Sequence, residues 1–288
     1  MTTAILNFHL PDWRRGEVAQ PTSVFGKIAA AALSADWRIV IKDEEDPVGG
    51  AGFHLVYNRA VTHPQALSLR RCYFEPFYRI EATNDRWDWQ VARHSYAEKT
   101  GNDWFRKYWA GRLFKDHPIG QKGFVFMPLQ GRLTEQRHFQ SMSPLEMIQA
   151  ALVADPKRPI LATLHPRESY SFADRAVLAA IKGNFSLVET PSLALLAQCD
   201  YVVTQNSSMA LIGMFAQKSP VLFADIDFHH IAASVPKMGL SAAYRNLHRP
   251  RHWGNYLHWF FREHALSMRD ADIVNKLQAR FRSHGWPM

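Results

Sequence analysis

Cysteine is scarce in this chain, and long apolar runs are missing. Two cysteines, Cys72 and Cys199, stand far apart in 288 residues, without a CxxC pair or a Cys/His spacing. This argues against a disulfide framework and a structural zinc site, and it predicts a reducing compartment. No window approaches the roughly 18 apolar residues that span a bilayer, and no charged leader precedes a long apolar stretch. We expect a cytoplasmic protein, and the sequence leaves open a peripheral attachment at the inner membrane face or to a glycan-assembly complex.

The motifs of several common enzyme classes are also missing. The chain has no GxxxxGK[ST] and no GxGxxG sequence, which argues against a P-loop ATPase and a standard dinucleotide enzyme. It has no GxSxG nucleophile elbow. The basic residues are scattered and form no known RNA- or DNA-binding motif, so we expect no nucleic-acid partner.

The charge balance is positive. Lys and Arg number 34 against 26 Asp and Glu, a formal net charge of +8. Such a balance favours anionic partners, among them nucleotides and acidic glycans. The plainer interpretation is a solvated basic surface with no dedicated ligand.

Strands and helices alternate in the second half of the chain. GFVFMPLQ (123–130), RPILATLH (158–165), FSLVET (185–190), DYVVTQ (200–205) and SPVLFAD (219–225) are typical of buried strands. Helical patterns lie between them, and Ser143 with Glu146 forms a capping-box sequence. This rhythm predicts a parallel, doubly wound sheet, which binds ligands beyond the carboxyl ends of its strands.

The first half is less regular. Residues 4–10, 37–43 and 53–59 are predicted strands, 24–35 is a predicted helix, and the aromatic and charged segment 70–113 has no clear assignment. Pro118 and two glycines make 116–123 the candidate linker. We therefore predict two domains, 1–121 on the acceptor side and 122–288 binding a nucleotide sugar, the second including a closing helix in residues 269–285.

Polar residues follow every predicted strand of the second half, and five such ends at one edge of a sheet indicate a binding site. The residues at these ends are Gln130, His165, Pro166, Arg167, Glu189, Thr204, Asn206, Ser207, Ser208 and Asp225.

At two of these strand ends, the residue types suggest how a phosphate could be bound. Ser207 and Ser208 open a helix, so their hydroxyls and the free N–H groups of its first turn can bind a phosphate. The alternative is an ordinary helix cap without a ligand. His165 ends a neighbouring strand, where a donor imidazole can reach the same anion, while Pro166 fixes the turn. The alternative is a surface histidine, since the chain has other His-Pro pairs at 63–64 and 117–118, although neither follows an apolar strand.

Histidines and carboxylates also meet near residue 228. Asp225, Asp227, His229 and His230 could in principle hold a metal, but an active-site loop explains them equally well. We expect neither a bound metal nor a cofactor.

The residues from about 122 to 228 resemble the nucleotide-binding domain of GT-B glycosyltransferases that use CMP-activated acidic sugars. The family they resemble most is that of the capsule-polysaccharide biosynthesis proteins, the bacterial Kdo-transferase group, with bacterial sialyltransferases as more distant relatives. The matching stretches are PLQ (128–130), the strand-terminal HPRE (165–168), ETPSLALLAQCDYVVTQNSS (189–208) and KSPVLFAD (218–225).

This resemblance implies a GT-B-like α/β fold with two Rossmann-like domains, the N-terminal one small and irregular. It also implies that His165 contacts the CMP phosphate, that Ser207 and Ser208 bind it from the other side, and that the segment near Glu189 recognises the nucleoside. The remaining donor-binding candidates are Gln130, Pro166, Arg167, Thr204 and Asn206.

The family usually has a catalytic carboxylate facing the cleft, and here the chain departs from the pattern. No Asp follows PLQ, and Glu135 is the nearest carboxylate, so we nominate it together with His165 as catalytic. Carboxylates in residues 43–46 stay open as alternatives.

The predicted activity is transfer of an acidic sugar, Kdo-like or sialic-acid-like, from a CMP donor to a surface or capsular glycan. A GT-B transferase using a UDP- or GDP-sugar is one alternative, because a phosphate site does not specify the base. An inactive, glycosyltransferase-like accessory protein is the other, since the carboxylate is hard to assign.

Overall fold

The computed structural model describes residues 3–101 and 103–288. Within them the strands are β1 (Ile5–Leu10), β2 (Arg38–Asp43), β3 (Phe53–Tyr57), β4 (Ala66–Arg71), β5 (Phe77–Glu81), β6 (Val125–Pro128), β7 (Ile160–Thr163), β8 (Phe185–Leu187), β9 (Tyr201–Thr204), β10 (Ser219–Leu222), β11 (Ala233–Ser234) and β12 (Leu266–Ser267).

The α-helices are α1 (Asp12–Arg15), α2 (Val24–Leu33), α3 (Gln90–Arg93), α4 (Trp104–Leu113), α5 (Pro144–Ala154), α6 (Phe172–Ala179), α7 (Ser192–Gln198), α8 (Ser208–Phe215), α9 (Val235–Met238), α10 (Leu240–Asn246), α11 (Trp253–His258) and α12 (Ile273–Ser283). Short 3₁₀ helices cover Gly16–Ala19 and Arg86–Asp88, and a π-helix covers Trp259–Glu263. Within the described ranges, no helix is long and apolar enough to cross a membrane.

The chain divides into two compact units. The first unit comprises the described residues up to His94 together with Trp259–Met288, and the second comprises those from Ser95 to His258. This division differs from the predicted boundary between residues 121 and 122. The predicted closing helix is present as α12, but it belongs to the first unit.

The predicted linker lies inside the second unit because its backbone is bonded there. The N–H groups of Gly120 and Lys122 donate to the carbonyls of Ala197 and Gln198 at 3.0 and 2.9 Å. The buried Lys218 ammonium also donates to the Gly120 carbonyl. The Pro and Gly residues of 116–123 therefore lie in a loop of the second unit. The chain passes from one unit to the other after His94 and after His258.

The first unit contains a mixed six-stranded sheet. Its order is β12-β5-β4-β3-β1-β2, in which β2, β1, β3 and β4 run parallel while β5 and β12 pair antiparallel. Leu6, Phe8 and Leu10 belong to an apolar core that also contains residues of α2 and α12. Residues 4–10, 24–35, 37–43 and 53–59 thus contain the strands and helix predicted for them, at β1, α2, β2 and β3.

The other face of this sheet is polar, although it is buried. Successive side chains of a strand point to opposite faces, so Asn7 and His9 lie opposite the Leu6 and Phe8 side of β1. His54, Arg79 and Glu81 are also almost fully buried. Buried charge on β5 hides the usual alternation of apolar and polar residues, which explains why this strand, inside segment 70–113, had no clear assignment from the sequence.

Two histidines on this face share a hydrogen bond. His9 Nε2 lies 3.0 Å from His54 Nδ1, and both side chains are fully buried. Burial, followed by the nearby charges of His9 and Lys42, lowers the pKa of His54 to about 4. Burial and Lys42 also lower the pKa of His9. The pair is therefore held neutral inside the first unit.

This neutral pair makes stability depend on pH. The folded-state pKa of His54 lies below the ordinary value of 6.5, so the unfolded chain binds more protons between pH 6.5 and about 4. As the pH is lowered from 6.5 to about 4, we expect the free energy of unfolding to fall, and His54 should contribute on the order of 2 kcal/mol to this loss. Urea unfolding of wild type and His54→Gln at pH 7.5 and 4.5 measures it.

Burial also lowers the pKa of half-buried His264 to about 4, so the comparison between variants is decisive. His54→Gln should lose less stability on acidification than wild type, whereas His248→Gln, at an exposed position, should lose as much as wild type. An equal loss in wild type and His54→Gln would contradict the assignment.

The second unit contains an all-parallel sheet, in the order β11-β10-β9-β6-β7-β8. Residues of both faces are buried: Val125 and Met127 lie in one apolar cluster, and Phe126 between them is fully buried. Burial on both faces is characteristic of doubly wound sheets. The α/β prediction, with two mostly parallel Rossmann-like sheets and the irregular one at the N-terminus, is confirmed.

The predicted capping box is present at α5. The Ser143 hydroxyl accepts from the Glu146 N–H at 3.3 Å, and the Glu146 carboxylate accepts from the Ser143 N–H at 2.8 Å. Ser171 and Asp174 form a second capping box at α6. These caps set the starting points of helices that follow the strand-end loops.

Candidate functional site

The loops after the parallel strands of the second unit lie along one edge of its sheet. Strand β6 lies between β9 and β7, so the loop that begins at Leu129 is flanked by those of His165 and Ser207. With a strand spacing of about 4.8 Å, the ends of β7 and β9 are about 10 Å apart. The three loops are therefore near enough to contact one ligand of nucleotide size.

A cavity of about 440 Å³ opens beside this edge, between the ends of β7 and β8. Its lining includes Pro166 and Glu189, two of the predicted donor-binding residues, and also Arg175 of α6. The hydroxyls of Thr163 and Ser192, 3.2 Å apart, join its two sides. The volume suits a small-molecule ligand. Arg175 was not a sequence candidate, because only the fold brings α6 to this opening.

His165 lies in a turn that orients its imidazole. The Glu168 N–H donates to the His165 carbonyl at 3.2 Å, which closes a turn with Pro166 at its second position. The Arg167 N–H donates to His165 Nδ1 at 3.2 Å. Because Nδ1 accepts this bond, the proton of the neutral ring resides on Nε2. Half-buried His165 thus presents Nε2 as a hydrogen-bond donor, and Arg167 contributes backbone while its side chain is exposed.

The start of α8 is capped by Ser207. Its hydroxyl accepts from the Met209 N–H at 3.3 Å, and Ser208 is the first helical residue. Ser207 is nearly buried, and Ser208 is half-buried. Both interpretations of this segment therefore stay compatible with the geometry, since a capping serine can still donate its own hydroxyl proton to an anion.

Two neighbouring candidates lie inside the fold. Thr204 is fully buried, and its hydroxyl donates to the Pro128 carbonyl at 3.0 Å. Asn206 is almost buried, and its amide donates to the Asp225 carbonyl at 3.4 Å. Thr204 thus joins β9 to β6, and Asn206 ties the loop after β9 to the loop after β10.

Two carboxylates of the strand-end loops, Glu135 and Glu168, are both exposed but have different neighbours. Glu135 is exposed and pairs with Arg132 at 3.1 Å. Glu168 instead lies against Gly131, where a Cβ atom would come within 2.5 Å of its Oε2. Glu168 is therefore at the junction of the β6 and β7 loops, next to Gln130. The sequence did not single out Glu168 as the catalytic carboxylate, because its nearness to Gly131 depends on β7 lying beside β6.

The carboxylates of residues 43–46 belong to the first unit and have local partners. Asp43 pairs with Arg15, and Glu45 lies 3.9 Å from Arg59. The Glu45 N–H and Arg15 lower the pKa of Asp43. A carboxylate with a lowered pKa is a weaker base, which disfavours Asp43 for proton abstraction.

The histidines near residue 228 have partners within the protein. His229 Nδ1 lies 2.7 Å from the Ile226 carbonyl, and His230 Nδ1 lies 3.0 Å from the Tyr256 hydroxyl. The two rings stack with centroids 4.4 Å apart. In the part of the chain that the structure describes, no group of three or more His, Cys, Asp or Glu side chains is arranged to hold a metal ion.

The buried hydroxyl of Thr204 can be tested by itself. Thr204→Val removes its bond to the Pro128 carbonyl, and we expect the free energy of unfolding to fall by about 1 kcal/mol. Urea unfolding measures the change, with the exposed Thr134→Val as the matched control. A Thr204→Val protein as stable as wild type would show that the bond joining β9 to β6 adds nothing.

No protein-family model and no curated protein matches this chain. Among solved structures, it is similar to the β-Kdo 2,7 transferase of Thermosulfurimonas dismutans KpsC, with 12% identity, 85% of this chain and 89% of that one covered, and a TM-score of 0.50. The β-Kdo 2,4 transferase of the same KpsC matches at 14% identity, 89% and 90% coverage, and a TM-score of 0.48.

A third similarity is to the Methanocaldococcus jannaschii UDP-GlcNAc 2-epimerase, solved with UDP-GlcNAc and UDP, at 10% identity, 99% and 100% coverage, and a TM-score of 0.41. Only the first similarity reaches a TM-score of 0.50, and at 12% identity what it shows is the fold. The resemblance to the Kdo-transferase group is thus confirmed at that level: over most of its length this chain shares the fold of a KpsC transferase.

Proposed function

We propose that this protein is a glycosyltransferase that transfers an acidic sugar, Kdo-like or sialic-acid-like, from a CMP-activated donor to a surface or capsular glycan. The observation that carries the proposal is the edge of the second unit's sheet, where a cavity adjoins the His165 turn. The fold shared with a KpsC transferase supports it. In this proposal the second unit binds the donor and the first unit the acceptor.

The donor binds across the strand-end loops. Its nucleoside occupies the cavity lined by Pro166 and Glu189, and Arg175 at the opening attracts the anionic ligand. Its phosphate receives hydrogen bonds from His165 Nε2 and from Ser207 and Ser208 at the start of α8. The distance of about 10 Å between these loops suits a ligand that spans them.

Bond cleavage leaves negative charge on the phosphate of CMP, and hydrogen-bond donors held in place stabilise it. The Arg167 N–H on Nδ1 keeps the His165 ring in the tautomer that donates from Nε2. Because this arrangement exists before the donor binds, little reorganisation is needed as the charge develops.

A carboxylate is also required near the reacting carbon, as nucleophile or as the base that takes the acceptor proton. Glu168 suits this role better than Glu135, because its carboxylate lies against Gly131 at the junction of the β6 and β7 loops, whereas that of Glu135 is paired with Arg132; both side chains are exposed. We therefore propose Glu168 as the catalytic carboxylate and keep Glu135 as the alternative.

Nucleotide preference tests the donor site. Ligand binding to the folded state raises the unfolding temperature. We expect CMP to raise it in wild type more than UMP, GMP or AMP, and His165→Ala to lose most of this shift while its ligand-free midpoint changes little. His248→Ala, at an exposed position of the same unit, is the matched control.

A larger shift with UMP or GMP would replace the CMP donor by a UDP- or GDP-sugar. The absence of a shift with every nucleotide would favour the accessory-protein alternative. An unchanged CMP shift in His165→Ala would remove His165 from the site.

The catalytic carboxylate is tested through Gly131. A methyl group there must displace the Glu168 carboxylate, whereas the backbone of Gly131 does not require glycine. We expect Gly131→Ala and Glu168→Gln each to lower kcat for CMP release from CMP-Kdo by at least about 100-fold, since proton transfer by a positioned side chain contributes factors of this size. CMP affinity should stay within about twofold of wild type.

Glu135→Gln is the matched carboxylate control and should retain most of the activity. The reverse pattern, with Glu135→Gln inactive and Glu168→Gln active, would restore Glu135 as the catalytic residue.

A further inference from the structure

The loop between β6 and α5 holds an arginine whose guanidinium edge has no partner. Arg137 is half-buried, and its Nε and Nη2 atoms are buried without a hydrogen bond to any described residue. Its guanidinium carbon lies 4.9 Å from the centroid of the Phe139 ring, and its backbone N–H donates to Gln140 Oε1 at 2.8 Å. The side chain is thus held in position from the ring side, while one edge of the guanidinium, Nε and Nη2, has no hydrogen-bond partner among the described residues.

This loop is bonded to the edge where the strands end. Gln140 forms a bridge with Ala224 after β10, and the Ala224 N–H donates to the Gln205 carbonyl at 3.2 Å. The Gln205 side chain donates to the Met142 carbonyl at 3.0 Å. Arg137 therefore lies beside the loops that follow β9 and β10, within the second unit.

The nearby carboxylates do not neutralise Arg137 directly. Burial lowers its pKa most, Arg132 lowers it further, and the charges of Glu168 and Glu135 act in the opposite direction. Among the described residues, however, no carboxylate lies within 4.0 Å of the guanidinium as an ion pair. Desolvation of two guanidinium N–H groups without a partner is costly, so we infer that a ligand completes this edge.

The chemistry of the two unpaired N–H groups of Arg137 indicates the class of ligand. Nε–H and Nη2–H are two parallel donors, which match the two oxygens of a carboxylate or the oxygens of a phosphate. Three amide atoms on the loops after β6 and β9 are also buried without hydrogen bonds: Gln130 Oε1, Gln140 Nε2 and Gln205 Oε1. A ligand that satisfies this cluster carries an oxyanion together with groups that both donate and accept, and hydroxyls have this property.

We propose that Arg137 binds the carboxylate of the acidic sugar through Nε and Nη2, while the free amide atoms of Gln130 and Gln140 contact the sugar hydroxyls. This inference rests on the proposed function, since it concerns the sugar end of the same donor. The phosphate already has His165 and the start of α8. Arg137 thus accounts for the selection of an acidic over a neutral sugar, because a neutral donor would leave the guanidinium unpaired.

Calorimetric titration of CMP and CMP-Kdo tests the assignment in wild type, Arg137→Met and Arg137→Lys. Wild type should bind CMP-Kdo more tightly than CMP. Arg137→Met should weaken CMP-Kdo by at least about tenfold and leave CMP unchanged, since it removes a bidentate, charge-assisted contact. Arg137→Lys keeps the charge but not the fork, so it should lose most of the same affinity.

Arg245→Met is the matched control, because it removes one arginine at an exposed position of the same unit. It should bind both ligands as wild type does.

The unfolding temperature without ligand separates a binding role from a structural one. Replacing a half-buried guanidinium that has an unpaired edge by a methionine should leave the midpoint unchanged or raise it. A midpoint clearly lowered in Arg137→Met would mean that Arg137 stabilises the fold, which would overturn the proposal.

Three further results of the titration would contradict the inference. Equal weakening of CMP and CMP-Kdo by Arg137→Met would assign the anion to the phosphate, and unchanged CMP-Kdo binding would remove Arg137 from the site. In both cases wild type still binds CMP, so the proposed function stands. Failure of wild type to bind either ligand would overturn the proposed function and this inference together.

Discussion

The parallel pairing of β6 with both β7 and β9 is the constraint on which the rest of the second unit depends. Strands of a parallel sheet end at the same edge, so this pairing brings three chain segments together that lie far apart in the sequence. Apolar residues on both faces of β6 bury the strand and hold this order. The His165 turn, the Gln130 loop and the start of α8 are neighbours for this reason alone.

The same edge shows how polar residues divide between structure and site. The Thr204 hydroxyl and the Asn206 amide are used within the fold, where they donate to backbone carbonyls. His165 keeps Nε2 available because its other nitrogen is occupied by backbone. Position after a strand therefore does not by itself make a residue available to a ligand, and the hydrogen-bond partner decides.

Elements that depend on a local sequence pattern could be predicted from the sequence, whereas contacts that depend on the order of the strands could not. Alternating apolar segments gave every strand from β6 to β10, and the capping box at Ser143 gave the start of α5. The charged strand β5 was not predicted from the sequence, because Arg79 and Glu81 are buried on its polar face. Glu168 was missed for a different reason: its position beside Gly131 exists only once β7 lies beside β6. The role of Arg137 was missed because its loop is bonded to the loop after β10, which is far away in the sequence.

The net charge of the protein and a buried charged group influence ligand binding in different ways. An excess of eight positive charges attracts any anion, and salt weakens this attraction, so it does little to distinguish one donor from another. The guanidinium of Arg137, held beside Phe139 with one buried and unpaired edge, acts at short range and matches two oxygens in one plane. In the proposed function, a ligand without such oxygens leaves that edge desolvated and unpaired, so discrimination comes from the penalty on the wrong sugar as much as from attraction to the right one. The proposed selectivity for acidic sugars therefore depends on the burial of one arginine edge and not on the total charge of the surface.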